Sequence, residues 1–381
     1  MYRDLPDPCL PRRILMTSDS VGDVLPYALA LAGSLADLDI HVGLATFGPF
    51  LSLAEKRRIE RQSGLELFES GLSAEWMPGF WSDEQRAADW LLRLAAEFQP
   101  DLVHLNGLLF SSLPWSSPVL VVEHRCMASW WLDLKGQPLP RQWNIYRDQV
   151  ARGLSSVGLV VAGSNVALAT LREHYGPFSA GRVIPYGWHL PEVTEEKRGF
   201  IITAQRLWDH SSNLEVLERC APYLAWPVFC AGDSLDSSGI RVKAQARNVC
   251  CLGGLSEEGL EEWLRRSSIY VVPARDAHCQ VSVLQAAMAG CALVLGNHPA
   301  LKEVWDQAAV FVPPEDPEAL RCALDRLICD RERRDDLADK AQRRARGSSI
   351  AVMTGQYCLA YQEVLLSGTR SSGVLSHAVG A

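Results

Sequence analysis

No apolar run in this chain is long enough to cross a bilayer: "SSPVLVVEH" and "VGLVVAG" fall far short of the roughly 20 residues a spanning helix needs. The segment "MYRDLPDPCLPRR" has prolines and acids where a signal peptide needs an unbroken apolar core, so no such signal is expected. Positive charge is also in deficit. The chain has 37 Lys and Arg against 45 Asp and Glu, a formal charge of -8, the wrong sign for a partner built on a phosphate backbone. Nucleic acid is therefore not an expected ligand. The 11 cysteines include no CxxC spacing, and Cys220, Cys230, Cys250, Cys251, Cys279 and Cys291 mostly sit within apolar runs. They read as reduced, buried small side chains, which suits the cytoplasm. There is no P-loop and no Ser/His/Asp elbow. The one acidic pair considered as metal ligands, Asp37 and Asp39 in "DLD", lies where a helix enters a strand, the wrong end for a site. Neither a metal nor a cofactor is expected.

What is present is length and alternation. A chain of 381 residues, 48% hydrophobic, exceeds one comfortable core, so two domains are expected. From Arg12 onward, β-rich runs ("RILMTS", "DIHVGLAT", "PDLVHLN", "PVLVVEH", "SVGLVVAGS") alternate with helical patterns ("VLPYALALAGSLADL", "DEQRAADWLLRLAAEF"). After "GRVIPYGWHLPEVTEEKRG", which reads as a connection, a second series begins. It runs "FIITAQ", a helix around "SNLEVLERCAPYL", "PVFCAG", "NVCCLGG", the helix "SEEGLEEWLRRS", "IYVVPA", a helix from about Val281, and "ALVLG". Strands that are apolar throughout are covered by helices on both faces of a parallel sheet, and ligands of such sheets bind beyond the strands' carboxyl ends. A final helix, "IAVMTGQYCLAYQEVLL", precedes a small and polar tail, 367–381, expected to be disordered.

Polar residues just after strands are accordingly the candidates. Gly22 follows the first strand and would let backbone approach a ligand, although an ordinary strand-to-helix turn explains it equally well. His104 and Asn106 in "VHLNG", and His124 in "VVEHRC", stand where a cleft is lined; a histidine so placed is often only structural. Trp130, Trp131 and Trp143 offer faces for a sugar ring or an aromatic acceptor, or pack helices. Arg206, beyond "FIITAQ", carries a donor fork suited to a diphosphate; the alternative is a surface ion pair with Asp209. The backbone leading into the helix from Val281 offers N–H groups to an anion whatever the side chains. "EKRRIER" reads as a solvated helix face, so membrane contact is at most peripheral.

Together, "ILMTSDSVGDV", "PDLVHLNG", "VIPYGW", "AQRLWDHSSNL", "PVFCAGD", "YVVPARDAHCQVSVLQAAMAGCALVLGNHPALKEVW" and "AAVFVPPEDPEAL" resemble glycosyltransferase family 4, over about Arg12 to Leu366. The resemblance implies a GT-B fold of class α/β, two facing Rossmann-like domains with parallel sheets. It places an acceptor-binding domain at 1–188, a donor-binding domain at 189–350, and a helix at 351–366 crossing back to the first domain. It implies transfer of a sugar from a nucleoside diphosphate sugar to an unidentified acceptor, with retention and without a metal. Arg206 matches the family's diphosphate arginine and His124 its histidine near the donor sugar. Asp276, His278, Cys279, Gln280 and Val281 fall on the donor loop. His104, Asn106, Trp130 and Trp131 fall on the acceptor side. Gln285 and Ala277, eight residues apart, match two family glutamates, one holding the ribose and one the sugar hydroxyls; Ser212 matches a phosphate-binding lysine. Those departures leave two alternatives, a working enzyme with a remodelled donor site or a silent relative that binds a nucleotide or a protein.

Overall fold

Short runs of aliphatic and β-branched residues become strands because both their faces find helices to pack against. The structure is a computed structural model that describes residues 10–77, 79–189, 195–206, 209–232, 247–277 and 280–376. Its first series is β1 (Arg13–Asp19), α1 (Val24–Ala36), β2 (His41–Phe47), α2 (Leu53–Glu60), β3 (Leu65–Glu69), α3 (Phe80–Phe98) and β4 (Leu102–Leu105). It continues with β5 (Val119–Glu123), α4 (Met127–Lys135), α5 (Asn144–Ser156), β6 (Leu159–Ala162), α6 (Asn165–Tyr175) and β7 (Gly181–Val183). The second is β8 (Arg198–Ala204), α7 (Leu214–Cys220), β9 (Val228–Ala231), β10 (Cys250–Gly253), α8 (Glu257–Arg266), β11 (Ser267–Val272) and α9 (Gln280–Met288). It ends with β12 (Ala292–Gly296), α10 (Pro299–Trp305), β13 (Ala309–Val312), α11 (Pro317–Cys329), α12 (Arg331–Ala345) and α13 (Ile350–Ser376).

The chain divides into two compact units. The first takes residues up to Ser129, Pro138–Pro185 and everything from Ile350; the second takes Trp130–Gln137 and Tyr186–Ser349. Each unit holds one parallel sheet. The first sheet has the order β3-β2-β1-β4-β5-β6-β7, and the second β10-β9-β8-β11-β12-β13. Strand order therefore reverses between β1 and β4 in one sheet and between β8 and β11 in the other, where crevices open beyond the carboxyl ends. Every residue of β11 and β12 is buried, as a sheet covered on both faces requires.

Helix α13 belongs to the first unit. Met353, Tyr357, Ala360, Tyr361 and Val364 are buried at helical spacing, and the Tyr357 hydroxyl lies 2.6 Å from that of Tyr27 on α1. The expected return of this helix to the first domain is thus observed, but it runs on to Ser376, so 367–376 are helical where a disordered tail was expected. Residues 377–381 lie outside the described residues. Three strands escape the sequence pattern, β3, β7 and β13, the second of them inside the stretch read as a connection. All three are short edge strands. Cys220, Cys230 and Cys291 are buried as expected, whereas Cys250 and Cys251 are exposed, on β10, an edge strand of the second sheet. Cys279 is outside the described residues. The described cysteines are free thiols.

Candidate active site

In the second unit, the loops beyond the strands are tied together before any ligand is considered. Asn213 takes the left-handed conformation (φ 61°), which asparagine tolerates better than most residues. Its amide Nδ2 donates to the carbonyls of Pro273 and Pro314, joining the loops that follow β8, β11 and β13. Glycines allow the remaining loops to touch: a Cβ on Gly232 would stand 1.7 Å from the Gln205 carbonyl oxygen, and one on Gly296 would stand 2.0 Å from that of Ala274. The carboxyl ends of β8, β9, β11 and β12 are thereby locked edge to edge.

Arg206 emerges at this switch point with its side chain only 16% exposed, and Nη1 lies 3.8 Å from Asp209 Oδ2. The ion pair considered from sequence is therefore present. Asp209 is itself held, since its Oδ1 accepts from the Ser211 N–H and hydroxyl, so the pair aims the guanidinium as well as balancing it. Ser212, at the lysine position of the family, is buried in the same turn. A cation not singled out from sequence stands close by. Arg275, directly beyond β11, donates from Nη1 to the His210 carbonyl at 2.6 Å and pairs with Glu315. Asp276 is buried, Ala277 and Gln280 are partly exposed, and Gln280 opens α9, where Val281 is buried and Gln285 half-buried one turn further on. His278 and Cys279 lie outside the described residues.

In the first unit, β1 and β4 end at the other switch point. Gly22 (φ 147°) leads into α1. Beyond β4, Asn106 donates its N–H to Thr17 Oγ1 (2.9 Å) and its Nδ2 to the Thr17 carbonyl (2.8 Å), clamping it to β1. Its Oδ1 lies 3.1 Å from His104 Nε2 and 2.8 Å from His124 Nε2. His104 is wholly buried and its Nδ1 is 2.8 Å from the Tyr361 hydroxyl of α13. Burial pushes both imidazoles down to about 3, opposed at His104 by the bond to Asn106 and reinforced at His124 by His104 beside it. Both rings are neutral at physiological pH. Trp130 and Trp131, proposed for the same side, fall in the segment grouped with the second unit, where their rings meet edge to face 6.3 Å apart.

Sequence reasoning missed Glu75, in the loop "LSAEWMPGF". Its carboxylate accepts from the backbone N–H groups of Leu109 (3.0 Å) and Leu108 (3.4 Å), beside Gly107 beyond β4. Burial nonetheless raises its pKa to about 7, against the lowering effect of those two bonds. The neighbouring Trp76 donates its indole N–H to Asp19 at the end of β1 (3.1 Å), and the Arg125 guanidinium lies 5.9 Å from the centre of that indole. A carboxyl group poised near neutrality, the neutral His124 and an indole thus stand at one switch point, with the wholly buried His104 bonded to the same Asn106 oxygen; an arginine and a helix N-terminus stand at the other. Among the described residues, no group of three His, Cys, Asp or Glu side chains could hold a metal ion, and no helix is long and apolar enough to cross a membrane.

Two family profiles match the chain: one described as Glycosyltransferase Family 4 over residues 26–190, and one described as Glycosyl transferases group 1 over residues 198–330. No curated protein sequence matches it. Among solved structures it is similar to sucrose-phosphate synthase from Thermosynechococcus elongatus (TM-score 0.78, 15% identity, covering 93% of this chain and 100% of that one). It is also similar to HepE from Anabaena in complex with UDP-glucose (TM-score 0.70, 15% identity, 93% and 99% covered). A third likeness is to the α,α-trehalose 6-phosphate synthase from Burkholderia multivorans (TM-score 0.68, 14% identity, 95% and 98% covered). At such identities the likeness is one of fold.

Proposed function

This chain belongs to glycosyltransferase family 4 and has the GT-B fold, and from that premise we propose that it moves a sugar from a nucleoside diphosphate sugar to a hydroxyl-bearing acceptor, with retention and without a metal. The second unit binds the donor and the first the acceptor. The observation that carries this reading is Arg206, at the β8–β11 switch point and aimed by Asp209. A guanidinium held there offers two parallel donors to a diphosphate, and the N-terminus of α9 adds backbone N–H groups. The departing nucleoside diphosphate gains negative charge as the glycosidic bond breaks, and preorganised cations stabilise it without the need for an ion. Arg275 stands beside the turn in which Ser212 replaces the family's lysine, so a second positive group serves that loop. Gln285, in place of glutamate, holds a ribose hydroxyl as a neutral partner. The likeness to HepE, solved with UDP-glucose, supports a nucleotide-linked donor.

Calorimetric titration with UDP, GDP, ADP and TDP, without metal, tests the reading. One of them is expected to bind, Arg206→Ala to weaken that binding about tenfold or more, and the matching sugar donor to be hydrolysed slowly. Absence of binding to all four, or an Arg206→Ala variant with full affinity and turnover, would overturn it.

A further inference from the structure

The hydrogen-bond pattern around Asn106 fixes more than a contact. Its amide cannot be turned over: with Nδ2 against the Thr17 carbonyl the bond is satisfied, whereas the reversed amide would set two oxygens against each other there. Oδ1 is therefore the atom between the two imidazoles, at 3.1 Å from His104 Nε2 and 2.8 Å from His124 Nε2. An amide oxygen only accepts. Each Nε2 must then carry the proton, and in a neutral ring Nδ1 becomes the acceptor. At His104 the pattern closes: Nδ1 accepts from the Tyr361 hydroxyl at 2.8 Å.

We propose that Asn106 is a positioning residue that locks His124 as the neutral Nε2–H tautomer, making Nδ1 the ring's acceptor atom. Under the glycosyltransferase reading above, on which this consequence rests, turnover requires the ring in that neutral form. The groups that face the ring are consistent with neutrality. Tyr27 of α1 meets it edge to face with centroids 4.7 Å apart, and His104 shares its acceptor. Tyr357 and Tyr361 of α13 pack on His104, and Glu123 and Arg125 flank His124 along the chain. Two imidazolium ions sharing one amide oxygen would repel, which favours the uncharged pair.

The test needs no substrate. In nitrogen-15 spectra of the histidine-labelled full chain, both residues are expected in the Nε2–H form, without titration between about pH 5 and 8. A His124 in the Nδ1–H form, or one that titrates within that range, overturns the proposal whether or not any nucleotide binds. In Asn106→Asp the oxygen between the rings becomes charged, so imidazolium signals are expected near neutral pH. Donor turnover at pH 6 should drop about tenfold or more and recover towards pH 9. An active Asn106→Asp enzyme with the parental pH profile would also overturn it, because a merely structural asparagine would not tie activity to His124 protonation.

Discussion

At the scale of single residues, Glu75 shows how an acid is shifted by a fold the local sequence does not announce. It sits in an aperiodic loop, and only the return of that loop to the end of β4 buries it; nothing in "LSAEWMPGF" signals this. Its pKa of about 7 lies above the ordinary carboxyl value of 4.5, so the folded protein holds this proton more tightly than the unfolded chain. The stability it contributes is complete below pH 4.5 and is lost as pH rises through 7. Replacing Glu75 with Gln removes that dependence. Between about pH 5 and 8, the stability of the variant relative to the parent should improve by on the order of 1–3 kcal/mol. Urea midpoints at several pH values measure this, and a pH-independent difference would refute it. His104, Asn106 and His124 were readable because each stands at or just beyond an apolar strand; the shared oxygen that couples them was not, since β4 and β5 are brought side by side only by the sheet.

At the scale of elements, legibility followed burial. Strands β11 and β12 were evident because both faces are covered and every position is apolar or small, while β3 and β7 form at sheet edges, where the pairing neighbour decides more than composition does. The close contacts beyond the strands were equally hidden, since a glycine at a strand end reads the same whether its missing Cβ matters or not. Gly296 is a case where it does: the added methyl of Gly296→Ala would meet the Ala274 carbonyl oxygen at 2.0 Å, and backbone there must move. A loss of about 2 kcal/mol or more is expected from such overpacking. Because Ala274 leads into the Arg275–Ala277 segment, nucleotide affinity should fall with it. Thermal melts and titrations on the same variant check both; an unchanged melting temperature would show that the loops are not locked as described.

At the scale of the whole molecule, α13 is the element on which the first unit depends. The helix was legible from its periodicity and its return to the first domain from family resemblance, but its partners were not: Tyr27, His104 and Arg182 lie 330, 257 and 181 residues before the residues they meet, and Arg182 forms an ion pair with Glu363 of α13. A chain ended at Ser349 should leave the first unit with unprotected amides in β1, β4 and β5 while β8, β11 and β12 stay protected. Hydrogen exchange followed by mass spectrometry reads this directly, and equal protection in both forms would refute it.

The division of the chain among the units has a further consequence, for the ribosome. All of the second unit, including Trp130–Gln137, has been synthesised by Ser349, whereas the first unit is the earliest made and still awaits residues from Ile350 onward. At typical elongation speeds of about 5–20 residues per second, the second unit can complete its sheet while the first waits with the surface for α13 uncovered. The half of the protein translated first is thus the half finished last, and during that interval its apolar face is what a chaperone or a neighbouring nascent chain would encounter.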